Sequence, residues 1–394
     1  MLIRNENRPG YKKTKVGWIP DDWECVPFAT VFDLKMDSLE PMPSVKYREI
    51  GVRSHGKGIF HKPPVTGESL GDKRVFHCQP GALVFNIVFA WEQAVAVLSE
   101  NERGFIASHR FPMFQGRKNQ ASEAYYLLFF KTRRGKEQLT IASPGGAGRN
   151  KTLGQADLDV LPVPCPPFPE QIAIAEMLAC WDKAIQTLEL KIKKKRLVKQ
   201  GLMQKLLSSR TRLPGFVKPW KDVRLGNILS IGNGKDYKHL AKGTVPVFGT
   251  GGLMTYVNDK LHSGETVFIG RKGTINKPFY FNGDFWTVDT LFFTHKFKNV
   301  LPKFVFFLFQ RINWEKHSEA SGVPSLSKTV ILKLKAHIPP LEEQRAIAKV
   351  LSAADGEIEA LERKLALFKD QKKYLLNNLV TGTIRLPQFE NSLP

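Results

Sequence analysis

The sequence predicts an α+β protein in which two α/β domains are separated by a pair of long antiparallel helices, a coiled coil, with a pseudo-two-fold internal repeat. A 51-residue segment occurs twice without a gap, at 166–216 and 339–389, and the copies share 20 residues at an offset of 173. A match at this spacing indicates repeated architecture. Both copies carry heptads, and the remaining chain breaks into short apolar runs separated by Gly, Pro and Asn.

Apolar residues in each copy alternate at steps of four and three, which is typical of a coiled-coil seam. The seam residues are Ile174, Leu178, Ile185, Leu188, Ile192, Leu202 and Leu206, then Ile347, Leu351, Ile358, Leu361, Leu365, Leu375 and Leu379. Such helices of about 38 residues are roughly 57 Å long. Since each domain precedes its helix, only antiparallel pairing places the domains at opposite ends. The alternative is two amphipathic helices, each packed on its own domain.

The repeat divides the chain into a first domain (1–165), a central helix (166–212), a second domain (213–338) and a C-terminal helix (339–394). A further match at the start of each domain predicts that a tryptophan anchors each core. The matching residues are Trp23, Val26 and Phe28, then Trp220, Val223 and Leu225. Glu170 and Glu343 fall in the first helical turns, where the helix dipole favours negative charge.

Each domain interior shows short apolar segments typical of strands, then one aromatic-rich helix and a Gly/Ser/Pro loop. The predicted strands are 82–87, 94–98 and 111–114, then 245–248, 266–269, 278–281 and 291–294. The predicted helices are 121–130 and 303–311, and the loops are 143–152 and 321–329. The interiors of the two domains differ far more than their edges.

The net charge of the chain indicates which class of partner it binds. The chain has 59 Lys and Arg against 37 Asp and Glu, a net charge of +22, which implies a polyanion, most often nucleic acid. An anionic membrane is the rival, but no apolar run approaches the roughly 20 residues of a spanning helix. Residues 1–13 lack the apolar core of a signal peptide. The four scattered cysteines indicate reduced thiols in a cytoplasmic protein.

The motifs of DNA-modifying catalysis are missing. Cys165-Pro166-Pro167-Phe168 lacks the amide or carboxylate that an adenine methyltransferase needs before its proline pair. Gly232-Asn233-Gly234-Lys235-Asp236 departs from a P-loop at two positions. The nuclease-like Glu362-Arg363-Lys364 lies on a heptad helix, and no HExxH or metal spacing is visible. We therefore expect no catalytic centre, metal or cofactor in this chain.

Cations and polar side chains on glycine-rich loops favour binding, because glycine permits close backbone approach. The candidate DNA-binding residues are Arg53, His55, Lys57, Arg117, Asn119, Gln120 and Lys151 in the first domain, and Lys235, Thr250, Arg271, Lys272, Ser325 and Lys328 in the second. Arg pairs with guanine and Asn or Gln with adenine in the major groove, while most cations contact phosphate. The loops around Arg53 and Arg117 are taken as counterparts of the Arg271 loop.

The basic run of the first helix has two interpretations. Its members are Lys191, Lys193, Lys194, Lys195, Arg196 and Lys199. They form either a solvated face or a contact with DNA between two half-sites. Lys195 and Lys199 occupy seam positions, which predicts that the seam opens there, and Gly201 weakens the same turn by about 1 kcal/mol.

Residues 338–348 (IPPLEEQRAIA) and 379–386 (LVTGTIRL) resemble the conserved helical regions of type I restriction-modification specificity subunits, and the family plan covers the whole chain. The resemblance implies a non-catalytic subunit that reads a bipartite, asymmetric site on double-stranded DNA. It implies two adenine-N6 methyltransferase subunits that carry S-adenosylmethionine, and endonuclease (translocase) subunits that use ATP and Mg²⁺. The alternatives are a stand-alone DNA-binding or scaffold protein, and a methyltransferase–specificity fusion, which the missing motifs disfavour.

Overall fold

The computed structural model describes residues 8–145, 151–320 and 322–390. The chain forms two compact units, one of Met1–Thr187 with Leu365–Pro394 and the other of Leu188–Lys364. Each unit therefore combines one domain with part of both long helices. Residues 146–150 and 321, which belong to the two predicted glycine-rich loops, lie outside the described residues, as do 1–7 and 391–394 of the predicted terminal segments.

The described part of the first unit is built from short strands, several short helices and parts of the two long helices. Its strands are β1 (Tyr11–Thr14), β2 (Gly17–Pro20), β3 (Glu24–Pro27), β4 (Phe32–Leu34), β5 (Ser38–Leu39), β6 (Lys46–Tyr47), β7 (Ile50–Val52), β8 (Ile59–His61), β9 (Val65–Thr66), β10 (Val75–His77), β11 (Leu83–Phe85), β12 (Val95–Val97), β13 (Ile106–Ser108), β14 (Met113–Gly116) and β15 (Pro162–Cys165). Its helices are α1 (Phe28–Val31), α2 (Gly67–Leu70), α3 (Glu123–Lys131), α4 (Arg133–Ile141) and α5 (Gln155–Asp159), with 3-10 turns at Ala90–Glu92 and Glu100–Glu102.

The main sheet of the first unit has the strand order β12-β11-β14-β4 and is antiparallel. The other strands of this unit form a three-stranded sheet, β13-β10-β5, and several two-stranded ladders. Helix α3 packs on the main sheet because its buried aromatics recur on one helical face. Ser122 caps its start. The predicted tryptophan anchor is confirmed, since Trp23 is fully buried among these aromatics.

The second unit has longer strands. They are β16 (Lys221–Arg224), β17 (Ser230–Asn233), β18 (Lys242–Gly249), β19 (Gly252–Val257), β20 (His262–Gly270), β21 (Phe279–Thr287), β22 (Leu291–His295) and β23 (Lys335–Ile338). Its helices are α7 (Leu225–Ile228), α8 (Pro302–Arg311) and α9 (Lys328–Lys333), with a 3-10 turn at Trp314–His317, and the long helix α6 (Phe168–Leu206) precedes them. The long helix α10 (Leu341–Leu379) and the short α11 (Pro387–Glu390) end the described chain.

Six strands of the second unit form one sheet in the order β17-β22-β20-β21-β18-β19. Its neighbours are antiparallel except β18 and β21, which are parallel. Helix α8 begins with Pro302 at its first position, where proline is well tolerated. The small ladder β16–β23 corresponds to β3–β15 of the first unit. In both, the strand that directly follows the buried tryptophan, Trp23 or Trp220, pairs with the strand that leads into a long helix.

The predicted antiparallel pairing of α6 and α10 is confirmed within each unit. In the first unit Asp182 pairs with Lys372, and Trp181 contacts Phe368 with ring centroids 5.2 Å apart. In the second unit the cross-helix pairs, with their N–O distances, are Lys195–Glu357 at 2.7 Å, Arg196–Glu362 at 2.6 Å and Lys199–Asp355 at 2.5 Å. Asp182–Lys372 and Asp355–Lys199 are one ion pair occurring twice, because both partners are shifted by 173.

The expectation that the seam opens at Lys195 and Lys199 is wrong. Both lysines lie between the helices, where the facing helix supplies Glu357 and Asp355. A lysine can pack its aliphatic stem against the seam and extend its ammonium group to a carboxylate. Helix α6 also continues through Gly201 to its end, so packing offsets the low helix propensity of glycine.

The predicted seam residues are buried or half-buried. Those buried are Ile174, Leu178, Ile185, Leu188, Ile192, Leu206, Ile347, Leu351, Ile358 and Leu379. Those half-buried are Leu202, Leu361, Leu365 and Leu375. The ends of the seam belong to the domain cores: Leu178 and Leu379 join the core of the first unit, as Leu351 and Leu206 join that of the second. The helices thus both pair and pack on domains.

Candidate nucleic-acid interface

The loop between β21 and β22 gathers two predicted DNA-binding loops of the second unit. The Lys235 N–H donates to the Thr287 carbonyl at 2.8 Å. The N–H groups of Arg271 and Lys272 donate to the Thr290 carbonyl at 2.8 and 3.3 Å. Main-chain bonds thus fix both loops, while the side chains of Lys235 and Lys272 are exposed.

A third loop joins this cluster from the segment before α9. Ser325 forms an isolated β-bridge with Lys272, and the Leu326 N–H donates to the Arg271 carbonyl at 2.8 Å. Partial burial, and then the nearby Arg271 guanidinium, lowers the pKa of Lys328. The direction of this shift is the one that repulsion between two cations produces.

The β18–β19 turn, which carries Thr250, reaches the same loop. The Phe248 carbonyl accepts from the Val288 N–H at 3.1 Å and from the Thr287 hydroxyl at 3.0 Å. Thr250 is half-buried beside this contact. Five of the six residues predicted for the second domain therefore lie on loops that converge on the β21–β22 loop, and the sixth, Lys328, is the first residue of α9. Their contact with DNA stays a prediction.

In the first unit, the segment after β11 contacts two of the predicted DNA-binding loops, as the β21–β22 loop does in the second unit. The His55 N–H donates to the Glu92 carbonyl at 2.6 Å, which holds the predicted Arg53–Gly58 loop. Lys151 lies over the ring of Trp91, with its ammonium 5.6 Å from the centroid. Arg53, His55 and Lys57 are exposed and Lys151 is half-buried.

Two hydrogen bonds show which residues correspond between the units. The Ile87 N–H donates to the Arg110 carbonyl at 3.0 Å, and the Ile87 carbonyl accepts from the Leu153 N–H at 2.8 Å. In the second unit, the Arg271 N–H likewise donates to the Thr290 carbonyl, and the Arg271 carbonyl accepts from the Leu326 N–H. Ile87 is therefore the counterpart of Arg271, and Arg110 that of Thr290. This corrects the matching of the Arg271 loop to the Arg53 and Arg117 loops, and it reveals Arg110, which the sequence did not indicate.

The remaining predicted residues lie in the turn between β14 and α3. The Arg117 guanidinium pairs with Asp33 at 3.1 Å, and Asn119 adopts a left-handed conformation with φ of 58°. The Gln120 carbonyl accepts from the Gln171 amide at 2.8 Å. This turn is attached to the start of α6, whereas the loops of Arg53 and Lys151 attach to the chain after β11.

Comparisons with known proteins indicate the family to which the chain is related. Residues 217–367 match the family described as "Type I restriction modification DNA specificity domain". Along 98% of this chain and 99% of the relative, the putative type I restriction enzyme MjaX specificity subunit of Methanocaldococcus jannaschii is 23% identical. The type I restriction enzyme MjaVIII specificity subunit of that organism is 22% identical over 93% of this chain and 94% of the relative. The chain is a relative of the type I restriction-modification specificity subunits.

A solved structure shares the fold of this specificity-subunit relative. The type I restriction-modification S subunit from M. genitalium matches with a TM-score of 0.59 at 18% identity, over 91% of this chain and 96% of that one. The α+β class with two long helices and the family resemblance that the sequence indicated are thus confirmed.

In this specificity-subunit relative, one buried carboxylate joins three segments of the first unit. Glu170 is fully buried at the start of α6. The Trp23 indole N–H donates to it at 3.0 Å. Arg385 donates two hydrogen bonds to the same carboxylate, at 3.0 and 2.6 Å. Such bidentate pairs fix both distance and orientation, so this carboxylate attaches the chain after α10 to the first domain.

The second unit repeats this arrangement. Glu343 is fully buried at the start of α10, and the Trp220 indole donates to it at 3.0 Å. Arg212 donates two hydrogen bonds, at 3.0 and 2.6 Å. The sequence indicated only a helix-dipole role for these glutamates. A signal was available, because the Glu and Arg recur at the same offset of 173.

The glutamine after each glutamate fixes the neighbouring domain. Gln171 accepts from the Ser122 N–H at 2.9 Å and donates to the Pro166 carbonyl at 2.9 Å. Gln344 repeats this, accepting from the Leu301 N–H at 2.9 Å and donating to the Pro339 carbonyl at 2.8 Å. The repeated Glu-Gln pair therefore positions each domain on its helix and, through the domain, the candidate loops.

Within the described ranges, no three His, Cys, Asp or Glu side chains are grouped to hold a metal ion. A search of the same residues finds no helix long and apolar enough to cross a membrane.

Proposed function

We propose that the chain reads a bipartite, asymmetric site on double-stranded DNA, with each domain reading one half. The observation that carries this proposal is the loop junction that occurs in both units with different side chains. Arg271 and Thr290 of the second unit are replaced by Ile87 and Arg110 in the first. A shared backbone arrangement with different polar groups is what two readers of different half-sites require.

We further infer that the chain itself is not catalytic and docks two adenine-N6 methyltransferase subunits. The repeated helices and the repeated Trp–Glu–Arg contacts support this, because a duplicated surface can hold two copies of one partner. S-adenosylmethionine and the flipped target base then belong to those subunits. ATP and Mg²⁺ belong to endonuclease subunits that join the complex.

Replacing both Arg271 and Lys272 with Ala should damage only one half of the recognised site. We expect discrimination at the half read by the second domain to fall by about 1–3 kcal/mol per lost base contact. The measurement is the set of sequences methylated by the complex, compared with the wild type. Lys316→Ala with Lys333→Ala, two exposed cations of the same unit, is the matched control. Equal loss at both halves would contradict separate reading.

Purification of the tagged chain from its native host should yield two methyltransferase subunits for each copy. Native mass spectrometry gives the ratio directly. The purified chain alone should transfer no methyl group from S-adenosylmethionine, and the complex should. Recovery of a DNA-bound chain without any methyltransferase would favour the stand-alone DNA-binding or scaffold function instead.

A further inference from the structure

The first unit contains a cavity of about 520 Å³ beside the loop junction. Glu49, Asn86, Phe89 and Arg110 are among the residues that line it. Asn86 and Val88, which flank Ile87, the counterpart of Arg271, both line it. The cavity therefore occupies the place in the first domain at which the second domain carries its Arg271-Lys272 loop.

The cavity is lined by one carboxylate and several cationic side chains. Lys62, Lys73 and Arg110 also line it, and Lys73 and Arg110 are exposed. Among them lies Glu49, which is only 7% exposed. Cations in this position suit DNA phosphates, whereas a carboxylate repels them. A buried carboxylate here therefore indicates a ligand that also presents hydrogen-bond donors.

The Glu49 carboxylate has unused accepting capacity. Its ion pair with Lys62 is 3.6 Å long, beyond hydrogen-bond distance. Within the described parts of the chain, no group donates a hydrogen bond to it. Glu102, equally buried in the same unit, differs: it accepts from the Ser99 N–H at 2.8 Å and from His61 at 2.7 Å. Glu49 is thus a buried acceptor directed at an open cavity.

We propose that Glu49 is a specificity-determining residue that accepts a hydrogen bond from the exocyclic amine of a base, with cytosine N4 as the ligand. Glutamate and aspartate make this contact in the major groove, since cytosine presents a donor there. Lys73 and Arg110 hold the flanking phosphates, and Phe89, which is 37% exposed, contacts the neighbouring base. This proposal rests on the proposed DNA-reading function.

Glu49→Gln tests the proposal because it keeps the shape of the side chain and adds a donor. The assay compares the methylated sequences of the wild-type and variant complexes, position by position. We expect discrimination at one base pair, in the half read by the first domain, to fall by about 5- to 150-fold, the equivalent of 1–3 kcal/mol. The other half and the salt dependence of binding should stay unchanged.

Two further variants distinguish base recognition by Glu49 from a general effect on folding or on DNA affinity. Glu102→Gln, a change in a carboxylate that is already hydrogen-bonded, should leave every base preference unaltered. Lys73→Ala should weaken all sequences alike and reduce the salt slope by about one. Unchanged base preference in Glu49→Gln, or uniform weakening of all sequences, would overturn the role of Glu49. A wild-type complex that binds no DNA would instead overturn the proposed function itself.

Discussion

Raising the salt concentration from 50 to 200 mM should weaken duplex binding by about 10³- to 10⁵-fold. This follows if the protein neutralises about six to ten phosphates, because each neutralised phosphate releases condensed counterions. The two loop clusters provide enough cations. They are Arg53, Lys57, Arg110 and Lys151 in the first unit, and Lys235, Arg271, Lys272 and Lys328 in the second.

Fluorescence anisotropy of a labelled duplex, titrated at several salt concentrations, measures the slope of log K against log salt. Removing Arg271 and Lys272 together should reduce the slope by about one for each of the two residues that contacts phosphate rather than a base. The Lys316→Ala, Lys333→Ala control should keep the wild-type slope. A slope near zero would show that DNA phosphates are not what this charge binds.

Glu170→Ala should lower the free energy of unfolding of the first unit by about 3–5 kcal/mol, the usual cost of removing one partner of a buried ion pair. Its loss leaves the Arg385 guanidinium, whose side chain is 7% exposed, without its main counter-charge. It also leaves the buried Trp23 indole without an acceptor. Glu343→Ala should cost less, because the Arg212 side chain is 25% exposed and can be rehydrated.

Hydrogen exchange followed by mass spectrometry assigns each loss to a unit. Protection should fall in the first unit for Glu170→Ala and in the second for Glu343→Ala. Glu176→Ala, an exposed site on the same helix, should change stability by no more than about 0.5 kcal/mol. If Glu170→Ala matched that control, the buried carboxylate would not be the anchor of the first domain.

The two long helices could be predicted because the sequence pattern that specifies them is local and occurs twice. The heptads fixed their type, the 173-residue offset fixed their equivalence, and the structure gives both as 39 residues long. The strands were predictable where apolar runs were bounded by glycine, as in β11 and β20. Contacts of Glu170 with Trp23 and Arg385 were not, since nothing local indicates which distant side chains share a carboxylate.

The candidate sites also include one that the sequence predicted and two that it did not. The Arg271 loop was predictable from its glycines and cations. Its counterpart around Ile87 was not, because it carries no charge at the matching position and only the hydrogen bonds of Ile87 reveal it. Glu49 was missed for a related reason. Its importance lies in the cations around it and in its lack of donors, and both are properties of the folded chain.

The core of the first unit has a consequence for synthesis on the ribosome. It includes Leu379, Val380 and Leu386, which are translated long after the rest of that core. The second unit draws only on residues between Leu188 and Lys364, so its chain is complete first. Domains usually fold in the order of their synthesis. Here we expect the reverse order: the domain made second can finish folding while the domain made first still awaits Leu379, Val380 and Leu386.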